Sequence, residues 1–585
     1  MLLRRESSLV ALLTILGLLM YSLIACAAPA AAPTAAPTKV AQPIPTKAAE
    51  PTAIKPSAET TPTPKPAAAK QTSGGTLRLV TQTDPVGWEP HGVQKVSVYT
   101  TRAISFVYSR LLQFPAGPRF EPGGQIDPLL SDLAESWEVP NDTTYIFHLR
   151  KGVKWQNKPP VNGREFVAQD VKWTLERLIA QSPEKRLLEG VTSIETPDNY
   201  TVKFTTKEPF APFLTNIAAT NMVMLAQEAG EKTPEGGRDF TKETTVVGTG
   251  PFMLESYQKN VRAVFKKNPT YFRQGMPYVD QITWTIVPDA STRIALLRAK
   301  NLDIMGDTST NRIDRILLAD LQRTNPDIVN VDYLPPRVST NLFMRIDQPP
   351  FNDKRVRQAV SMAIDRKTWI DSFFQGRAIN CTAVAPALKD WAVPADKLGE
   401  GAKYYEYNPT EAKRLLAEAG HPNGLKVPYV STTGYGVIHV EQAELIKDNL
   451  AKVGIDADLK LQEYTAWLAS TYTGKYDGIA YGPSMALGDP DEYLWTYAPG
   501  DVRNHSHVDD PKLNEMLKKE RTTVDRAERM KLVQEIQKYI AAEVYRIFLP
   551  LETYIGSSQP WVKDFVPSEH YDIGKVHEHV WLAPH

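Results

Sequence analysis

The folded part of this chain reads as an α/β protein, and three observations point there. Strand-like segments of period two alternate with helical segments that carry their own start and stop signals. The stretch from Gly74 to His585 is long enough for two or three domains. Its texture changes near Val247, from hairpins around a single helix to strands that feed helices. That last pattern argues for parallel strands in covered sheets.

The N-terminus comes first. Arg4 and Arg5 precede an apolar run, Leu9 to Ala25, which is short for a membrane span and has the charge-then-apolar order of an export signal. It ends at Leu23-Ile24-Ala25-Cys26, which is similar to a lipobox, and this predicts Cys26 as the first mature residue, carrying the lipid. An uncleaved helical anchor is the alternative reading. From Ala27 to about Ser73 the chain is mostly Ala, Pro and Thr, without an aromatic residue, so it cannot bury enough apolar area to offset its ordering entropy. About 45 extended residues could hold a domain up to ~140 Å from a membrane, so the segment is expected to be a stalk.

Thr76 to Val80 alternates and stops at Asp84-Pro85, predicting the opening strand, with Trp88 in the loop after it and helix through Tyr108. Trp137–Val139 and Tyr145–Arg150 flank Pro140-Asn141-Asp142 as a hairpin, and Glu195 to Thr206 repeats the pattern. A helix is expected from Val167 to Ile179, and another from Ala290 to Lys300. Asn408-Pro409-Thr410-Glu411 supplies an N-cap, a first-turn proline and a capping-box glutamate, with Gly420 as the stop. Asn352 or Asp353 caps Val356 to Ile364. Helix Glu441–Lys452 leads into strand Ile455–Leu461, and Lys475–Tyr481 is a further strand.

Composition excludes several functions. Lys plus Arg equals Asp plus Glu at 67 each, which is not the footprint of a nucleic-acid binder. With Cys26 committed to lipid, Cys381 has no partner, so neither a disulfide framework nor a cysteine-based metal site is expected. There is no phosphate-binding loop of the Gly-x-x-x-x-Gly-Lys-Ser/Thr type, no Gly-x-Ser-x-Gly and no His-Glu-x-x-His. A hydrolase built on Asp489 and Asp491 is the rival reading, although Asp489-Pro490-Asp491-Glu492 also reads as an N-cap with its capping-box partner. His505 with His507 and His577 with His579 invite a metal reading, against which they are expected to be surface histidines. No cofactor is expected.

Six or more segments in order carry a resemblance: Leu133–Glu138, Tyr145–Trp155, Asp170-Val171, Gly248-Thr-Gly-Pro-Phe252, Pro350–Ala359, Ala363–Arg366 and Asp477-Gly-Ile. From about Gly74 to Phe565 the chain resembles family 5 extracellular solute-binding proteins, the dipeptide, oligopeptide and nickel binders of ABC importers. The resemblance implies the type II periplasmic-binding-protein fold, with two hinged lobes and an additional small domain inserted beside the first. Lobe one would hold about 74–112, 243–336 and 540–585, the extra domain 113–242, and lobe two 337–539. It further implies an extracytoplasmic, lipid-anchored monomer, not an enzyme, whose partners are a solute, an ABC permease and its ATPase subunits.

Strand-to-helix turns are where ligands bind in α/β sheets, which nominates Trp88, Tyr481 and Trp495, each with core packing as the alternative. Thr249 and Gly250 are expected as polar contacts near the hinge, and Asn341 and Arg345 on a strand entering lobe two. In the loop Gly482–Asp489, which holds Ser484, the position where dipeptide binders carry a carboxylate for the ligand's amine is Ala486. The arginine that takes a dipeptide's carboxylate aligns with Thr433. Oligopeptide is the default ligand, with a saccharide or another organic solute as the alternative.

Overall fold

The computed structural model describes residues 71–92, 97–308, 311, 313, 315–484, 488–568 and 573–585. The export signal, Cys26, nearly all of the stalk and Ala486 lie outside the described residues. Folded structure starts slightly before Gly74, because the Thr72 hydroxyl donates to the carbonyl of Leu582 at 2.6 Å.

The opening strand, Thr76–Thr81, pairs parallel with Gln281–Ile286. The sheet continues antiparallel through Arg262–Lys267 to Phe252–Gln258. Period-two alternation sends Leu77 and Leu79, with Ile282 and Trp284, into the core. The two expected hairpins form one antiparallel sheet in the order Ala134–Asn141, Thr144–Leu149, Thr201–Thr206, Val191–Asp198. Its buried face, Tyr145, Phe147, Val202 and Phe204, meets helix Ala168–Gln181 through Val171, Leu175 and Leu178. Phe147 and Phe204 stand edge to face at 5.5 Å, a favoured aromatic geometry.

A five-stranded sheet follows the order Ile455–Gln462, Leu425–Thr432, Ile479–Pro483, Thr340–Met344, Arg546–Phe548. The first three strands are parallel; Thr340–Met344 is antiparallel to both its neighbours. Helices Lys354–Ala363, Pro409–Glu418 and Val437–Ala451 cover one face, burying Leu342, Met344, Val427, Tyr429 and Ile479 against Val356, Val360, Leu416 and Ile446. Asn408 caps its helix as expected, accepting from Glu411 N at 3.0 Å. Three expectations shift. The helix expected at Glu441 starts at Val437, because its first turn exposes Val437 and Ile438 and so lacks the periodic apolar stripe. The strand expected from Lys475 starts at Ile479. The sheet expected to end by residue 539 takes its edge strand from Arg546–Phe548.

The helix Pro490–Leu494 is fixed by buried charge. Asp489 caps it, accepting from Asp491 N at 2.8 Å, and also receives Arg529, which donates to Glu520 at 2.7 Å from Nε. Glu492, expected to close a capping box, pairs with Arg186 at 2.6 Å instead.

Two further groups are inside, of which His505 was expected at the surface. Cys381 is buried, accepts from Ser339 N at 3.3 Å, and burial pushes its thiol up to about 11. His505 is buried between Phe343, at 4.6 Å, and Tyr472, at 5.0 Å. Burial first, then the charges of Arg546 and Arg503, lower its pKa to about 3.

An imidazole held neutral while the unfolded chain binds a proton near pH 6.5 makes stability fall as pH drops from that value toward the folded pKa. Between about pH 7 and pH 5 this one group should cost about 2 kcal/mol. Urea unfolding at both pH values should show the wild type losing that much more than His505→Phe, which keeps the ring packing without the titration. Equal losses in the two proteins would place the imidazole elsewhere.

Candidate functional site

The carboxyl ends of the three parallel strands share one edge of the five-stranded sheet. Thr432 is in register with Gln462, and Thr340 opposes Pro483, so four segments meet there: Arg337–Ser339, Thr433–Gly436, Glu463–Tyr464 and Ser484. Such an edge is where side chains and loop backbone are free of the sheet ladder and can face a ligand.

The edge is built of aromatic rings. Tyr435 stands edge-on to Tyr464 at 5.3 Å, to Trp467 at 5.6 Å and to His439 at 5.0 Å, and Tyr472 packs on Trp467 at 5.0 Å. A glycine is required beside it, since a Cβ on Gly434 would sit 2.2 Å from the Tyr464 ring. Tyr435 and Tyr464 remain 39% and 37% exposed, and so form its accessible surface. Across from them, on helix Val98–Ser105, Tyr99 lies within electrostatic reach of Tyr464 and donates to Gln82 Oε1 at 3.2 Å.

Charge at the edge comes from Arg337. Its Nη1 donates to the Tyr554 hydroxyl at 3.3 Å, and its positive charge reaches both Tyr435 and Tyr472. Burial raises both phenols, Tyr472 to about 12, so at neutral pH they are neutral hydrogen-bonding groups. His439 is held down to about 4 by burial and stacks flat on Tyr481 at 4.3 Å, so it is a neutral ring in the wall.

The residues nominated from sequence divide. Thr433 is exposed and Ser484 is buried, and both stand on the edge. Asn341 is buried in the strand beside it, with Nδ2 donating to Ser339 O at 3.1 Å and Oδ1 unpartnered. Tyr481, nominated as a platform, is instead fully buried, its hydroxyl 2.7 Å from Gln442 Oε1. It precedes the edge by two residues and points to the helix-covered face. Arg345 is at the opposite end of its strand, bound to Asp347 at 2.8 and 2.7 Å and to Tyr476 O at 2.7 Å. Trp88 is buried against Tyr257 at 5.3 Å. Gly250 donates to Val107 O at 2.7 Å, and a Cβ there would meet that carbonyl at 2.6 Å; Thr249 beside it is buried with Oγ1 unpartnered. Trp495 lines a separate cavity with Phe210 and Leu517.

The sequence reading missed Tyr99, Tyr435, Tyr464, Tyr472 and Arg337. Gly434-Tyr435-Gly436, an aromatic between glycines just past a strand, was the available signal; Arg337, after Pro335-Pro336, had none.

The residues behind the rival readings are engaged elsewhere. Asp489 is bound by Arg529, and Asp491 by Arg521 at 3.0 and 2.8 Å, so both carboxylates serve ion pairs. His507 Nε2 lies 2.8 Å from Gly474 O while His505 is enclosed by rings; His577 is buried and lies 3.7 Å from Asp307. His505 and His577 are therefore not the surface groups expected, whereas His507 keeps 38% of its side chain exposed. Among the described residues, no three His, Cys, Asp or Glu side chains are grouped to hold a metal ion, and no helix is long and apolar enough to cross a membrane.

The family model described as bacterial extracellular solute-binding proteins, family 5 (middle), matches residues 129–504. A dipeptide-binding protein of Escherichia coli K12 is 27% identical over 526 residues, covering 86% of this chain and 93% of its own. A di/tripeptide-binding protein of Pseudomonas aeruginosa is 29% identical, covering 82% and 89%. Among solved structures, the periplasmic binding protein DppA of Helicobacter pylori in complex with the peptide STSA superposes with a TM-score of 0.71 at 25% identity, covering 88% of this chain and 99% of that one. With a family match over more than half its length, the chain belongs to the family 5 bacterial extracellular solute-binding proteins.

Proposed function

We propose that this chain is the extracytoplasmic capture component of an ABC importer, and that its ligand is a peptide held at the aromatic edge and passed to the permease and its ATPase subunits. The observation that supports this most is the convergence of Thr433, Ser484, Tyr435, Tyr464 and Arg337 at the ends of parallel strands, with Tyr99 opposite. The ligands named for the relatives point the same way. Arg337 would receive an anionic group, and the tyrosine hydroxyls would supply neutral hydrogen bonds. A neutral organic solute such as a saccharide is the second reading, favoured by the ring-lined wall.

The proposed division has lobe one at 74–112, 243–336 and 540–585, an extra domain at 113–242 and lobe two at 337–539, with Arg546–Phe548 lent to the sheet of lobe two. A ligand touching both lobes stabilises the closed form by its differential affinity. The protein works as a monomer, tethered through a lipid on Cys26, and does no chemistry on its cargo.

Three outcomes follow. Cys26→Ala should leave the protein without lipid; acyl chains detected on the variant by mass spectrometry would refute the anchor. Ligand at 100 times its dissociation constant should stabilise the fold by ~2.7 kcal/mol and be recovered unchanged. Turnover by purified protein would contradict a binding-only role.

Dipeptides should bind orders of magnitude more weakly than the physiological ligand. Ala486 offers no carboxylate to a dipeptide's ammonium, and enclosing a charge without its partner costs ~3 to 5 kcal/mol, where each ~1.4 kcal/mol is tenfold in affinity. Calorimetry with a dipeptide panel on wild type and Ala486→Asp should show the variant tighter. Micromolar dipeptide binding by the wild type would mean that another residue supplies the acceptor.

A further inference from the structure

Tyr435 is the more exposed of the two accessible tyrosines of the edge, and it stands between Gly434 and Gly436. Glycine on each side leaves the chain there little torsional preference, and Gly436 is in the left-handed region at φ 87°. Local backbone geometry therefore does not aim the ring. Its side-chain neighbours must, and of the three aromatic ones Tyr464 is itself at the surface, while Trp467 and His439 are buried.

His439 is the third residue of helix Val437–Ala451 and is tied to the sheet in two ways. Its ring lies flat on Tyr481 at 4.3 Å, with 14° between the planes. Its Nε2 is 3.2 Å from Ser431 Oγ, and that hydroxyl gives its own proton to Tyr481 O at 3.2 Å, so Nε2 is the donor. Tyr481 is fixed in turn, its hydroxyl 2.7 Å from Gln442 Oε1 and 3.1 Å from Thr340 Oγ1. Three strands of the sheet thus hold one imidazole. That imidazole meets Tyr435 edge to face at 5.0 Å, with 67° between the planes. Tyr481, His439 and Tyr435 form a continuous chain of rings from the core to the accessible wall. The chain is uncharged at neutral pH, because burial holds His439 down to about 4.

We propose that His439 is a positioning residue, which transmits the fixed place of Tyr481 to Tyr435 and so presents the aromatic wall to the solute in one orientation. This rests on the reading of the edge as the solute site. The gain is preorganisation, since a ring already held in place need not be ordered when the solute arrives. His439 acts through Tyr435 and, being buried, presents almost no surface of its own.

The test has one readout that needs no solute. In the full chain, 3-fluorotyrosine placed at position 435 by stop-codon suppression reports the ring currents of its neighbours as a fluorine chemical shift. At pH 7 the resonance should lie away from the value of the free amino acid. His439→Ala should move it toward that value, and His439→Phe, which keeps a neutral ring in the stack, should hold it. Calorimetry with tetraalanine is the second arm. His439→Ala should bind it about tenfold more weakly than wild type, the scale of ordering one side chain on binding, and His439→Phe within about threefold of wild type. Thermal melts establish that both variants fold. A fluorine shift that His439→Ala leaves in place, or that His439→Phe loses to the same extent, would overturn the positioning role, as would equal tetraalanine affinity in wild type and His439→Ala. Wild type that binds no tetraalanine while the fluorine shifts behave as expected would count against the peptide reading and uphold the role of His439.

Discussion

Asp489 is where the local structure is decided. Its carboxylate caps the helix Pro490–Leu494 and is bound in turn by Arg529, which also holds Glu520. All three groups are buried, and burial pushes the Glu520 carboxyl up to about 8, so Asp489 is the charge that answers Arg529, and removing either of that pair leaves an uncompensated buried charge. The loop that leaves the sheet at Pro483 therefore ends on a fixed point. Arg186 and Arg521 extend the anchoring by tying Glu492, Asp491 and Glu189 together across segments more than 300 residues apart.

Much of the fold was legible because local signals and tertiary packing agree. Period-two alternation marked Thr76–Thr81 and both hairpins, and Asn408-Pro409 marked a helix start that the structure reproduces. The failures have physical causes. A helix whose first turn shows Val437 and Ile438 to solvent carries no apolar stripe there, so its start was placed four residues late. An edge strand of three residues, Arg546–Phe548, is too short for alternation to reveal, and only long-range pairing with Asn341–Phe343 defines it.

The site was less legible than the fold. The resemblance pointed to Thr433 and to the loop with Ser484, which stand at the carboxyl ends of parallel strands; the rule that ligands meet such ends nominated Trp88, Tyr481 and Trp495. It could not tell which face a side chain takes, so Tyr481, two residues inside the strand end, was nominated although its ring belongs to the core. Arg337 was invisible because its position depends on the antiparallel strand Thr340–Met344 bringing its N-terminal flank to the edge. Thr433 is uncharged and stands beside the neutral rings of Tyr435 and Tyr464, and the cation at this edge, Arg337, comes from a different segment.

The single buried thiol has a practical meaning. Cys381 is enclosed, and its ionisation is pushed to about 11, so almost none of it is thiolate at neutral pH. In a soluble form lacking Cys26, a cysteine introduced at Val437, 73% exposed beside Tyr435, would therefore be the group that reacts with a maleimide dye. A fluorophore placed there would sit at the lip of the aromatic wall and turn solute capture into an optical readout.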